Sequence, residues 1–185
     1  MEAGLGIFIV ESLVIVILGS LLHFTYDWSG ENKFVGFFSA VNESTWEHIK
    51  LALSAIFICT LVDVWFLGGN QNYWYARNLS FIVSVLVIPA LFYGYRSFVR
   101  HSILAVDISI FVVAAMLSEL VFVVVLDGPT IGPKMTGLSL AGGVLILTAY
   151  LLLTKFPLHN FLFEDPITHR YGFDGHKKLM RRHKK

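Results

Sequence analysis

The sequence predicts an all-α protein, an integral membrane bundle of about five transmembrane helices, and two observations predict it. Of its 185 residues, 56% are hydrophobic and only 15% charged, too apolar a balance for a soluble domain. The surplus has to face lipid. Five apolar segments, at 3–24, 46–68, 79–95, 102–126 and 135–154, meet the length of roughly 20 residues that a helix needs to cross a bilayer core. A lone cysteine, Cys59, excludes a disulfide within the chain and any cysteine-based metal cluster.

The first segment opens with Glu2 and lacks both a basic n-region and a small-x-small cleavage site, so it reads as a retained helix and not as a signal peptide. Ser44-Thr45-Trp46-Glu47 fits a capping box, which starts the second span with Ser44 as N-cap and Glu47 reaching back. Gly68-Gly69 ends it. The third span is the shortest and carries Pro89, which should kink it. Asp127-Gly128-Pro129 and Gly132-Pro133 force a stiff hairpin between the fourth and fifth spans. In the fifth, Gly137 and Ala141, and Ser139 and Gly143, lie four apart and form a flat stripe suited to a close helix contact, within the chain or in a homo-oligomer. Residues 34–41, FVGFFSAV, are apolar but too short to cross, and are expected to dip into the interface or re-enter.

Six of the fourteen Lys and Arg residues fall in the last ten positions, HKKLMRRHKK. With five spans, the positive-inside rule puts this C-terminus in the cytoplasm and the N-terminus outside; Lys33, Lys50, Arg96 and Arg100 join the tail, while Arg77 and Lys134 face out. Residues 1–160 then form the transmembrane helical domain, and 161–185 an amphipathic and basic cytoplasmic tail. Phe156 to Phe163 reads as a segment lying on the membrane surface, and the basic run as attracted to anionic lipid headgroups, with no folded platform for nucleic acid. His169, His176 and His183 fall in this solvated region. Trp28 and Trp46 are expected as inner interfacial anchors, Tyr73, Trp74 and Tyr75 as outer ones.

This topology brings distant polar residues to one face. His23 ends the first span, Asn42 to Lys50 start the second and His159 follows the fifth. Imidazole and carboxylate groups suit a divalent metal such as zinc, with His23, Glu47, His48 and His159 as candidate ligands. The candidate catalytic groups are His23, Asp27, Glu43, Glu47 and Lys50: a histidine beside a carboxylate can act as acid or base, and Lys50 can meet an anionic headgroup. No HExxH motif is present, and His48 lies about 100° around the helix from Glu47, so the two need not point to one centre. As an interfacial cap, Trp46 would anchor, Lys50 snorkel and His23 bond backbone.

HFTYDWSGENKFVGFFSAVNESTWEHIKL, together with PLHNFLFEDPITHRYG, resembles an uncharacterised family of small multi-pass prokaryotic membrane proteins, a domain of unknown function, over the chain up to about Gly172. The resemblance implies a prokaryotic plasma membrane and no particular activity. The polar face also resembles, more distantly, the plan of membrane hydrolases that collect His, Asp and Ser at one membrane face, but the last span lacks their H-x-x-x-H pair.

Four acids, Glu11, Asp63, Asp107 and Glu119, lie inside the expected spans with no Lys or Arg near them there to neutralise them, Lys50 being thirteen residues from Asp63 at the other end of the second span. Each has to face the interior, become protonated or bind a cation. Glu11 and Glu119 fall at one depth, Asp63 shallower on the outer side, Asp107 near the cytoplasmic cluster. Three functions follow: a membrane-embedded metal-dependent enzyme acting on a lipid or amphipathic substrate, a proton- or cation-coupled transporter or channel using the acids, or an assembly subunit.

Overall fold

The computed structural model of the chain describes residues 2–176. Its helices are α1 Glu2–Trp28, the single-turn α2 Lys33–Gly36, α3 Thr45–Leu67, α4 Tyr73–Arg96, α5 Leu104–Leu126 and α6 Pro133–Lys155, followed by a 3-10 turn at Gly172–Gly175. No strand forms among the described residues. All but α2 are long and apolar enough to cross a membrane. Their outward faces carry large apolar side chains such as Trp65 and Phe66, 84% and 82% exposed, a surface suited to lipid rather than water.

Short connections make successive long helices antiparallel. One end of the bundle gathers the C-termini of α1, α4 and α6 with the N-termini of α3 and α5; His23 lies there. Arg77 lies towards the opposite end. Helix α3 packs on α1 and α4, α5 packs on the same two helices, and α6 leans chiefly on α4. Ile15, Ile49, Ala52, Ala55, Ile56, Ala114 and Ala115 form the tightly buried centre. The small-residue stripe of α6 is used within the chain: Asn78 Nδ2 donates to Ser139 O, and a Cβ on Gly143 would stand 3.2 Å from Asn78 Oδ1.

Two helix limits differ from expectation. Helix α1 continues to Trp28, so His23 stands inside it. Helix α4 starts at Tyr73, and Arg77 therefore belongs to the helix and not to an outer loop. Tyr73, Ala76, Arg77 and Ser80 recur at helical spacing on its buried face, and a charged residue among them masks that pattern in hydropathy. Asn70 and Asn72 of the preceding loop bond to Val125, Leu126 and Gly128 carbonyls, capping α5. The expected aromatic anchors divide: Trp28 is exposed, whereas Trp46 and Tyr73 are buried.

The loop from α1 to α3 folds back into the end of the bundle. Lys50 Nζ donates to Gly36 O at 2.8 Å, the Tyr150 hydroxyl donates to Phe37 O, and Tyr26 N–H donates to Ser39 Oγ at 2.8 Å. Lys50 follows Thr45, the first residue of α3, by five, and Tyr150 precedes Lys155, the last of α6, by five. Both donors thus stand roughly 8 Å inside their helix ends, at about 1.5 Å per residue. Backbone carbonyls in so apolar a place need such partners.

The segment after α6 also turns inward. Phe156, Leu158 and Phe161 stay exposed, but Phe163 is buried, stacked on Trp46 with ring centroids 4.8 Å apart. Trp46 N–H donates to Leu162 O at 2.9 Å. His176 corrects an expectation: it is buried, not solvated, because its Nδ1 bonds Val41 O at 2.9 Å and its Nε2 lies 3.2 Å from Asp27 Oδ1. His169 is exposed as expected. The basic run from Lys177 to Lys185, with His183, lies outside the described residues.

Candidate metal centre

His23 comes from α1, His48 from the first turns of α3, and Glu43 from the loop just before the Ser44 N-cap. Ser44 caps as the sequence predicts, its Oγ accepting from Glu47 N–H. The Ser44 carbonyl lies 2.9 Å from His48 Nδ1. A carbonyl only accepts, so Nδ1 carries the hydrogen and Nε2 holds the lone pair, the tautomer a metal ligand needs. Donor atoms of His23, Glu43 and His48 all lie within 4.8 Å of one another. His23 Nε2 is 4.0 Å from Glu43 Oε2, and the two imidazole rings are 5.7 Å apart between centroids.

The donor set and spacing fit a divalent ion. Tetrahedral zinc with bonds of ~2.0–2.2 Å holds its donors about 3.4 Å apart, so the trio closes by small side-chain rotations. Two histidines and one glutamate leave a fourth position for water or substrate. The side chains of His23 and Glu43 are 31% and 34% exposed, which keeps that position reachable.

Other expected site residues are placed elsewhere. Glu47 does not join the trio: its carboxylate lies 2.5 Å from Lys50 Nζ and accepts from Val41 N–H at 2.9 Å. Nor does it close the capping box, because Ser44 N–H donates to Asn42 Oδ1 instead. Lys50 is fully buried in this pair, so it neither snorkels nor meets a headgroup. His159 stacks on Tyr171, centroids 4.4 Å apart, and is not among the converging donors. Asp27 faces His176.

The acids of the long helices form a second constellation, and here the expectation that they lack a basic partner is overturned. Arg77 is fully buried among three of them. Its Nη1 donates to Glu119 at 3.0 and 3.2 Å, and its Nη2 donates to Glu11 at 2.8 Å and also to Asp63. Tyr73 donates to Asp63 and Ser80 to Glu119, while the Phe122 ring lies 3.6 Å from the guanidinium carbon. Charge and hydrogen bonds thus tie α1, α3, α4 and α5 together. Glu11 and Glu119 meet at Arg77, and Asp63, expected at a shallower level, meets the same guanidinium. Asp107 stands apart, accepting from Tyr95 and Ser102.

Arg77 escaped sequence reasoning, though a signal existed: the third expected span was the shortest, and extending it by little more than half a turn brings Arg77 into it. The sequence reading put Glu43 among the acid–base groups and Glu47 among the ligands; Lys50 holds Glu47, and Glu43 stands with the two histidines.

Fold and site together define a small all-helical protein with five helices able to cross a membrane and a histidine–glutamate cluster at one end of the bundle. The chain belongs to a family of unknown function, DUF6512, whose model matches residues 6–173. No curated protein and no solved structure matches it.

Proposed function

We propose that this is a membrane-embedded metal-dependent enzyme, a hydrolase acting on a lipid or another amphipathic substrate at the membrane surface. One observation carries the reading: His23, Glu43 and His48 bring a two-histidine, one-carboxylate donor set within 4.8 Å. A metal held there would make a bound water nucleophilic at neutral pH. The half-buried site at the helix ends would meet a substrate whose tail lies in the bilayer. The positive-inside rule favours this end as the cytoplasmic one: Lys33, Arg96 and Arg100 lie at it, against Lys134 at the opposite end.

The test is elemental analysis of protein purified in mild detergent without chelator. About one equivalent of zinc, manganese or iron is expected in the wild type, by the one-site geometry, and none in His23→Ala/His48→Ala. A metal-free wild type defeats the proposal. Reporter fusions at the C-terminus test the orientation.

A second reading, proton or cation coupling, is favoured by the composition of the Arg77 cluster. Three carboxylates face one guanidinium, which leaves the cluster two positive charges short of neutrality if all are ionised. Flux into proteoliposomes that is unchanged by Glu11→Gln with Glu119→Gln would remove it.

A further inference from the structure

A metal ligand has to be held closely in place, and a loop carboxylate has no helical neighbours to hold it. Glu43 is such a ligand. Its backbone N–H donates to Asp165 Oδ1 at 2.9 Å, across a sequence separation of 122 residues. Asp165 is completely buried. Its other oxygen accepts from Thr168 N–H at 2.6 Å and Ile167 N–H at 3.2 Å, an Asx turn, and its own N–H donates to Arg170 O. The carboxylate is therefore locked from its own side before it meets Glu43.

The residues just before Glu43 are tied to the same C-terminal segment. Asn42 Nδ2 donates to Gly172 O at 2.8 Å, and His176 Nδ1 donates to Val41 O at 2.9 Å. Three consecutive residues, Val41 to Glu43, thus take their position from a strand of chain that itself supplies none of the three donors.

We propose that Asp165 is a positioning residue of the metal centre, fixing the Glu43 ligand from the C-terminal segment. The inference rests on the metal reading above. It makes the segment after α6 part of the site and not only a cover over the bundle.

The experiment is a Zn2+ titration of the full chain in detergent, with the visible absorption of the Co2+ form and thermal unfolding measured alongside. Asp165→Asn keeps one of the two sets of accepted bonds and presents an amide to the other. It should weaken Zn2+ binding by about tenfold or more, as outer-shell changes do, and alter the Co2+ spectrum. Asn42→Asp keeps the Ser44 bond and loses the donor to Gly172 O, so it should weaken binding in the same direction. His169→Ala, on the same segment but exposed, should match the wild type in both. Wild-type affinity and spectrum in Asp165→Asn overturn the inference, even if its melting temperature falls, since that marks a purely structural role. Should Asp165→Asn fail to fold, Asn42→Asp decides by the same criterion. A wild type that takes up no Zn2+ or Co2+ overturns the metal reading and this inference with it, whereas metal uptake unaffected by either variant overturns the inference alone.

Discussion

Towards one end of the bundle, Arg77 is enclosed by Glu11, Asp63 and Glu119 with no exposed surface of its own; at the other, His23, Glu43 and His48 face one another while about a third of the His23 and Glu43 side chains stays open to the outside. Both groups bring carboxylate and nitrogen-bearing side chains together from separate segments of the chain. Their difference lies in what the nitrogen can do. A guanidinium carries a fixed charge and only donates, so it holds its acids in one arrangement. An imidazole keeps a lone pair, which a carbonyl such as that of Ser44 can aim outward. The first constellation is built to hold helices together, the second to admit something from outside.

The largest effect that tests this contrast comes from Arg77→Met. It leaves two buried carboxylates and the part-buried Glu11 without their cation and should lower stability by about 3–5 kcal/mol. His23→Ala at the open site should cost about 1 kcal/mol or less by comparison. Thermal unfolding in detergent compares them, and an Arg77→Met protein as stable as the wild type would erase the distinction.

Added Zn2+ gives the next effect. A ligand at a hundredfold excess over its dissociation constant stabilises the folded state by about 2.7 kcal/mol. The wild type and Arg77→Lys should gain that increment, whereas His48→Ala should gain none. An equal gain in His48→Ala would move the metal away from the proposed centre.

Gly172→Ala sharpens the role of the C-terminal segment. Gly172 has φ of 51°, and a Cβ there would stand 3.0 Å from Pro157. The substitution should cost about 1 kcal/mol or more, since left-handed backbone disfavours alanine. The loss should appear as faster proteolysis of residues after α6, with the melting of the helices little changed.

The smallest effect concerns α6. Nothing stands within 4 Å of a Cβ built on Gly137, so Gly137→Ala should leave the protein unchanged or raise its stability by roughly 0.5–1 kcal/mol. A clear loss of stability, or dissociation of a larger species in light scattering, would place a second copy against that face.

Much of the architecture was legible. Hydropathy located all five long helices, Ser44 announced the start of α3, and the Asp127 to Pro133 turn marked the gap before α6. The site was legible in part. His23, Glu43 and His48 were all among the candidates, but Glu47 was preferred to Glu43 as a ligand, since spacing cannot reveal that Lys50 claims it. Asp165 had a readable sign in Asp-Pro-Ile-Thr, the pattern of an Asx turn, yet nothing in that pattern names Glu43 as its third partner.

Taken alone, the sequence determined the helix-forming segments, their apolar surfaces and the gathering of polar side chains at helix ends, because these follow from residue chemistry over short stretches of chain. Tertiary structure decided which charges meet. Whether a carboxylate binds Arg77, Lys50 or a metal depends on rotations of helices and on loops that fold back into the bundle, and those are set by packing among segments from 14 to 122 residues apart.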